Sequence, residues 1–219
     1  IVVASGYRHF GIIFWQQVVC ATIVLLWLAL RQRPLPLTRA ALQRYFFIAL
    51  FGTIIPNSAS YIAQERLPAG LVAVCFALIP MMALPLALAV RIERPEPKRL
   101  LGIFAGMTGI LLIVLPDASL PDRTAMPFVL FALSAAFCYA VEGVGLGKLG
   151  PAGLDPIQLL AGAAVTSLLF ALPLSVATGS WITPGQGAFR IDLALVAVAA
   201  IHTLCYAGYV WMVGNGGPV

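Results

Sequence analysis

Charged residues are scarce in this sequence. Asp, Glu, Lys and Arg together make up 10% of its 219 residues, while apolar residues make up 61%. An ordinary soluble domain is roughly 25% charged. Because so few polar groups cannot cover the surface of a globule in water, the composition excludes a water-soluble domain.

Long stretches that are almost free of charge dominate the chain instead. Seven of them contain a single charged residue between them, Glu142. Roughly 20 residues of helix cross the hydrocarbon of a bilayer, and lipid offers no partners to unpaired backbone groups. The predicted fold class is therefore an all-α, polytopic membrane helical bundle with seven full transmembrane helices. The predicted spans are 10–30, 45–64, 69–90, 100–115, 126–147, 157–177 and 193–213.

Motifs typical of other membrane proteins are missing. The last span has no lysine for a retinal Schiff base, and no span carries HExxH, GxSxG or paired aspartates. We therefore predict no enzyme and no catalytic residue. The cysteines form no CxxC pair and no set of ligands that would complete a zinc site, so we predict buried, inert thiols, no metal and no cofactor. A charged ring or repeated filter, as in a channel, is also lacking. A seven-helix receptor or sensor without transport is the alternative function.

The few basic residues are unevenly distributed between alternate loops. One set of loops carries nine Lys and Arg and the other set carries four. Cytoplasmic loops are the ones enriched in these residues. The net charge of +5 therefore indicates orientation and not nucleic-acid binding. The loops predicted to be cytoplasmic are 31–44, 91–99 and 148–156.

Several short motifs occur in a recognisable order. Tyr61 precedes AGLVAVCFALIPMMALPLALAV, which contains Pro80, and IERPEPKRLLGIFAGMTGILLIVLP follows with Glu93 and Arg94 at its turn. The chain ends with GGPV at 216–219. In these features the sequence resembles the drug/metabolite transporter superfamily, specifically its EamA-type transporters, and GGPV resembles the segment leading into their ninth helix.

The resemblance implies ten helices in two inverted five-helix repeats. This chain would cover the end of helix one to helix eight, as a first repeat (1–115), a linker (116–124) and a truncated second repeat (125–219), so we expect it to be part of a longer protein. The implied function is transport of small organic metabolites, such as amino acids, related solutes or drugs, by alternating access, with efflux the commonest direction. The expected partners are a small-molecule substrate and the lipid bilayer of the cell membrane, without nucleic acid. Nothing in the sequence predicts an oligomeric state.

Small and cyclic residues predict how two of the helices pack. Gly102, Gly106 and Gly109 form a small-xxx-small face that would allow another helix to approach closely. Pro80 and Pro85 interrupt the hydrogen-bond ladder of span 69–90 and predict a kink.

The last span carries a polar face near the membrane midplane. His202 and Tyr206 are four residues apart, and Tyr209 follows at i+7, so the three share one side of a helix. An ionisable group inside a membrane is costly unless it faces a cavity or a partner. We predict that this face lines a substrate cavity; a neutral imidazole bonded to a neighbouring helix is the alternative.

The second span repeats this spacing with Asn57, Tyr61 and Gln64. Amides and aromatic hydroxyls beside an apolar wall suit small amphipathic solutes, although they could equally form interhelical hydrogen bonds. Sliding the chain on itself by 145 residues places Asn57 on His202 and Tyr61 on Tyr206. Because the two spans run in opposite directions, this register is compatible with an inverted repeat.

Glu142 is the remaining candidate for substrate binding, with Tyr139 three residues earlier on the same face. The carboxylate could bind a cation or a proton, or anchor a gate. Alternatively it could reach the membrane interface, since it lies five residues before the end of its span. Gln16 and Gln17 are adjacent in the first span, so at most one of them should face a cavity. Trp27, Trp181 and Trp211 lie near span ends and are predicted to form an aromatic belt at the interface.

Overall fold

The computed structural model describes residues 7–94, 97–114, 123–183, 185 and 189–216. Every regular element within these ranges is helical, as predicted. Most of the predicted linker, part of the IERPEP turn and the last three residues of the GGPV segment lie outside them. The helices are α1 (His9–Leu30), α2 (Arg39–Ile48), a π-helical segment (Ala49–Ile54), α3 (Ile55–Gln64), α4 (Ala69–Phe76), α5 (Ile79–Ala89), α6 (Pro97–Val114), a short 3₁₀ turn (Arg123–Ala125), α7 (Met126–Leu149), α8 (Pro156–Ala177) and α9 (Phe189–Gly216).

Six helical stretches are long and apolar enough to cross a membrane. They overlap six of the predicted spans and confirm the polytopic helical bundle. Arg39–Gln64 begins six residues before the predicted start at 45, so residues 39–44 of the predicted loop 31–44 are helical. The seventh predicted span, 100–115, falls on α6. This helix extends to Val114, the last residue that the structure describes before 123. The six stretches are His9–Leu30, Arg39–Gln64, Ala69–Ala89, Met126–Leu149, Pro156–Ala177 and Phe189–Tyr209.

Proline interrupts the stretch Ala69–Ala89. Pro80 has no N–H to offer the carbonyl of Phe76, the last residue of α4, and α5 begins at Ile79 with Pro80 in its first turn. Pro85 lies inside α5 without ending it. The predicted interruption of this span is therefore confirmed at 77–78, just before Pro80, but no break occurs at Pro85.

The π-helical segment lies just before a third proline. Pro56 is in the first turn of α3 and cannot donate to the carbonyl of Gly52. The wider i→i+5 turn of residues Ala49–Ile54 carries the chain up to this point without ending the helix. This widening was not predicted from the sequence.

A buried tyrosine joins the helices at the centre of the largest apolar core. Tyr45 of α2 is buried against α8, and its hydroxyl donates to the carbonyl oxygen of Pro36 at 3.1 Å. Its ring lies directly on Gly162, where even a methyl group would overlap it. A residue without a side chain therefore sets how closely α2 and α8 approach.

The end of α7 is capped from a neighbouring helix. Arg44 of α2 donates from Nε to the carbonyl oxygen of Gly150 at 3.2 Å, and its guanidinium also bonds the carbonyl oxygen of Leu149. These are carbonyls that a helix leaves unpaired at its end. Arg44 was counted above among the basic loop residues that set the orientation. Its hydrogen bonds also link α2 to α7.

One prediction about packing is met in part, and one about cysteines is wrong. Gly106 of α6 lies close to the side chain of Met81 of α5, whereas Gly102 and Gly109 have open space where a Cβ would lie. The close approach that this face allows is therefore made at Gly106 alone among the three glycines, in the part of the chain that the structure describes. Cys20, Cys75 and Cys138 are buried as expected, but Cys205 is exposed, because it lies on the outer side of α9.

We expect Gly162→Ala to destabilise the protein, because the added methyl overlaps the ring of Tyr45, which is held in place by its hydroxyl. Overpacking of this kind costs about 1–3 kcal/mol. Thermal unfolding in detergent, followed with a thiol-reactive dye that reports exposure of the three buried cysteines, should show a lower midpoint. Gly102→Ala is the matched control and should leave the midpoint unchanged or raise it, since alanine favours a helix over glycine. Equal midpoints for the two variants would contradict the packing described here.

Candidate functional site

Polar side chains from three helices converge on one face of α7. Tyr139 and Glu142 are three residues apart on this helix, and each bonds a different neighbour. α7 packs against α3, the π-helical segment and α9. Polar side chains are rare inside a bundle of transmembrane helices, so the convergence of several of them at one place marks a candidate site.

The first contact joins α7 to α3. The hydroxyl of Tyr139 donates to Oδ1 of Asn57 at 2.8 Å. Asn57 is only 5% exposed, and its Nδ2 has no hydrogen-bond partner in the described part of the chain. An amide at this depth thus retains two N–H donors that nothing described here accepts.

The second contact joins α7 to α9. The hydroxyl of Tyr206 donates to Oε1 of Glu142. Glu142 is 0% exposed, which excludes the alternative that its carboxylate reaches the membrane interface. Its Oε2 has no partner among the described residues, and no Lys, Arg or His that the structure describes forms an ion pair with it.

Gly52 of the π-helical segment completes this contact. A Cβ at Gly52 would overlap both the carboxyl group of Glu142 and the hydroxyl of Tyr206. Only glycine therefore lets the segment lie against this pair. Sequence reasoning missed Gly52; the signal was a glycine four residues before Pro56 inside an otherwise apolar span.

A further bond connects α3 to α1. The hydroxyl of Tyr61 donates to Oε1 of Gln16 at 2.7 Å. Gln16 and Gln17 are both buried; the prediction was that at most one of them faces a cavity. Gln16 is the one that reaches the predicted polar face of α3, so it joins the candidate site.

The remaining candidates, Gln64 and His202, form none of the hydrogen bonds named above. Gln64 donates to Oγ of Ser60, one turn earlier in its own helix, at 3.0 Å. His202 is half-buried and stacks on Tyr206, with 5.7 Å between the ring centroids and 12° between the ring planes. His202 therefore supports the ring of Tyr206, whereas Gln64 stays within α3.

The unpaired atoms define what the site can bind. Leaving a buried polar atom without a partner costs about 1–3 kcal/mol, and more for a charged group. Oε2 of Glu142 can accept a hydrogen bond or bind a positive charge, and Nδ2 of Asn57 can only donate. Ser58 and Ser167 also have buried hydroxyls without partners, but these are neutral. A ligand with an N–H or ammonium group and an acceptor oxygen would satisfy the first two atoms.

Comparison with known proteins identifies the family of the chain. The EamA-like transporter family matches residues 2–115, which is more than half of the sequence. No curated protein and no solved structure matches the chain. The matched region runs from α1 to the end of α6. It contains Tyr61, Pro80, Glu93 and Arg94 of the motifs that carried the resemblance, whereas GGPV at 216–219 lies outside it. The chain therefore belongs to the EamA-like transporter family and is a membrane transporter of the drug/metabolite transporter type.

Proposed function

We propose that the protein transports small organic metabolites, such as amino acids or related amines, through a site formed by Asn57, Tyr139, Glu142 and Tyr206. This proposal rests on two buried atoms that have no hydrogen-bond partner among the described residues, Oε2 of Glu142 and Nδ2 of Asn57. An ammonium group would pair with the carboxylate, and a carboxylate or carbonyl oxygen of the same solute would accept from the amide. The tyrosines and the apolar helix surfaces around them would hold the rest of a small amphipathic solute.

The position of the site suits alternating access. Asn57 belongs to the proposed first repeat, 1–115, and Tyr139 and Glu142 belong to the proposed second repeat, 125–219. The bond between Asn57 and Tyr139 therefore crosses from one repeat to the other, where transporters built from repeats place their substrate. Rocking of the repeats would expose the site to each side of the membrane in turn.

The strength of these contacts is compatible with such a motion. Hydrogen bonds between helices in membranes contribute on average about 0.6 kcal/mol. Breaking the bond between Tyr139 and Asn57 is therefore inexpensive. The bond of Tyr206 to the carboxylate of Glu142 costs more, about 1.5–3 kcal/mol, which a bond from the ammonium group of a substrate would offset. We propose that these bonds hold the occluded bundle together between transport cycles.

The charge distribution supports an orientation for this cycle. Loops 31–44, 91–99 and 148–156 lie in the cytoplasm under the positive-inside rule, and the membrane is the cell membrane. We propose export as the direction of transport, on the basis of the family.

We predict that Glu142→Gln reduces transport of amines at least about tenfold, because the amide keeps the shape of the side chain but loses its charge. A hydrogen bond to a charged group contributes about 1.5–3 kcal/mol. Counterflow in proteoliposomes, with a panel of amino acids, nucleosides and cationic dyes, measures this effect. Glu65→Gln is the matched control, since Glu65 is exposed at the end of α3, and it should transport like the wild type.

Two outcomes of this experiment would refute the proposed site. Glu142→Gln protein that unfolds at the wild-type temperature and transports every accepted amine at the wild-type rate would remove Glu142 from substrate binding. Wild-type protein that binds solutes of the panel but exchanges none of them would support the receptor or sensor function instead.

We further predict that Gly52→Ala lowers the transport rate about tenfold, because its methyl group would force Glu142 and Tyr206 apart. Gly208→Ala, in α9, adds the same methyl group where the structure has open space, and it should leave the rate unchanged. The measurement is counterflow of the best substrate from the panel above. A wild-type rate for Gly52→Ala would show that the contact between the π-helical segment and Glu142 is not needed for the cycle.

A further inference from the structure

A second polar feature lies at one end of the bundle and shares no lining residue with the contacts of Asn57 and Glu142. The end of α1, the beginning of α8 and the last third of α9 enclose a cavity of about 310 Å³. Its volume is at the lower end of the range for small-molecule sites, roughly 300–1,000 Å³. The lining side chains that matter below are those of Trp27, Arg31, Arg33, Asp155, Ile157 and Trp211.

One of the two arginines in this cavity is already neutralised. Arg33 donates to Oδ2 of Asp155 at 3.2 Å. The other carboxylate oxygen of Asp155 accepts the backbone N–H of Gln158 at 2.8 Å and caps α8. Asp155 is the one acidic residue named in the lining, against two arginines, so the charged side chains of the lining keep one net positive charge.

Arg31 supplies the uncompensated positive charge. Its guanidinium lies over the ring of Trp27, 4.9 Å from the centroid, and it forms no ion pair with a residue that the structure describes. Segment 31–44, which begins at Arg31, contains four arginines and no acidic residue, and two of the four, Arg31 and Arg33, line the cavity. The cavity consequently carries a positive charge at Arg31.

The rest of the lining is aromatic and apolar. Trp27 and Trp211 are 49% and 58% exposed, and both were predicted to lie at the membrane interface. One turn and two turns further into the span, Ile23 of α1 and Leu204 of α9 are also exposed. An amphipathic ligand could thus place a charged group at Arg31 and its hydrocarbon along these helices.

We propose that this cavity binds an anionic phospholipid, with the phosphate at Arg31 and the glycerol and acyl region against Trp27, Ile157 and Trp211. Basic pockets between transmembrane helices on the cytoplasmic side are typical sites for anionic headgroups. A free inorganic anion would use only one exposed arginine and would leave the tryptophans unused, so the lipid is the better match. This inference depends on the membrane location of the chain and not on the proposed substrate site.

Native mass spectrometry of the purified protein, mixed with equal amounts of phosphatidylglycerol and phosphatidylcholine in 0.15 M salt, tests this proposal. We expect preferential retention of phosphatidylglycerol by the wild type. Arg31→Gln should lower this preference about fivefold, which corresponds to about 1 kcal/mol for one basic residue near a headgroup. Arg39→Gln removes the same charge from an exposed position outside the cavity lining, and it should change the preference less than twofold. Addition of inorganic phosphate should not displace the bound lipid.

A second measurement tests the proposal on the wild-type protein alone, in case Arg31→Gln does not fold. Phosphatidylglycerol brominated near the start of its acyl chains should quench the tryptophan fluorescence of the wild type more strongly than equally brominated phosphatidylcholine. Equal retention of the two lipids, equal quenching by them, or equal losses in the Arg31 and Arg39 variants would each overturn the site. Displacement of the lipid by inorganic phosphate would instead assign the charge at Arg31 to a free anion.

Discussion

A hydrocarbon environment provides no hydrogen-bond partners, and this constraint governs the rest of the structure. Backbone groups satisfy it by forming helices throughout the described spans. Polar side chains satisfy it by pairing across helices, as Tyr61 does with Gln16 and Tyr139 with Asn57. The atoms that do not find a partner are therefore informative. Glu142 and Asn57 each retain one atom without a partner among the described residues. Both residues adjoin Tyr139: Glu142 is three residues further along α7, and Asn57 accepts the hydrogen bond of the tyrosine hydroxyl.

Residues without side chains determine how closely the helices approach. Gly162 accommodates the ring of Tyr45, Gly145 accommodates the ring of Phe47, and Gly52 accommodates the contact between Glu142 and Tyr206. The glycines of α6, which follow the small-xxx-small pattern most clearly, make no comparable contact there. A pattern of small residues shows that close packing is sterically allowed, but the partner that uses it is decided elsewhere in the chain.

The membrane spans were readily predicted from sequence because their signal is local. Each span is a continuous apolar run, and its length alone identifies it, whatever its neighbours are. Pro80 was a reliable signal for the same reason, since a missing N–H acts within one turn. The π-helical segment was missed, because whether a chain widens, kinks or breaks before Pro56 depends on what packs around it.

The candidate site was only partly predictable. The spacing placed Asn57 with Tyr61 and His202 with Tyr206, because residues four apart share a helix face. It could not show that α7 would come between these faces, that Gln64 would bond within its own helix, or that Gln16 would bond Tyr61. Contacts between helices depend on rotation about each helix axis and on interhelical distance, neither of which is encoded in a single span.

The sequence by itself therefore determined the environment of the chain, the number and limits of most of its helices, and its family. These properties follow from hydrophobicity, from proline and from short motifs, all of which act over one span or less. The tertiary structure alone decided which polar atoms are paired, which remain unpaired among the described residues at Glu142 and Asn57, and which residues of α1, α8 and α9 line the cavity at Arg31. Those relations join residues that are distant in the chain, and they are fixed only when the helices pack against one another.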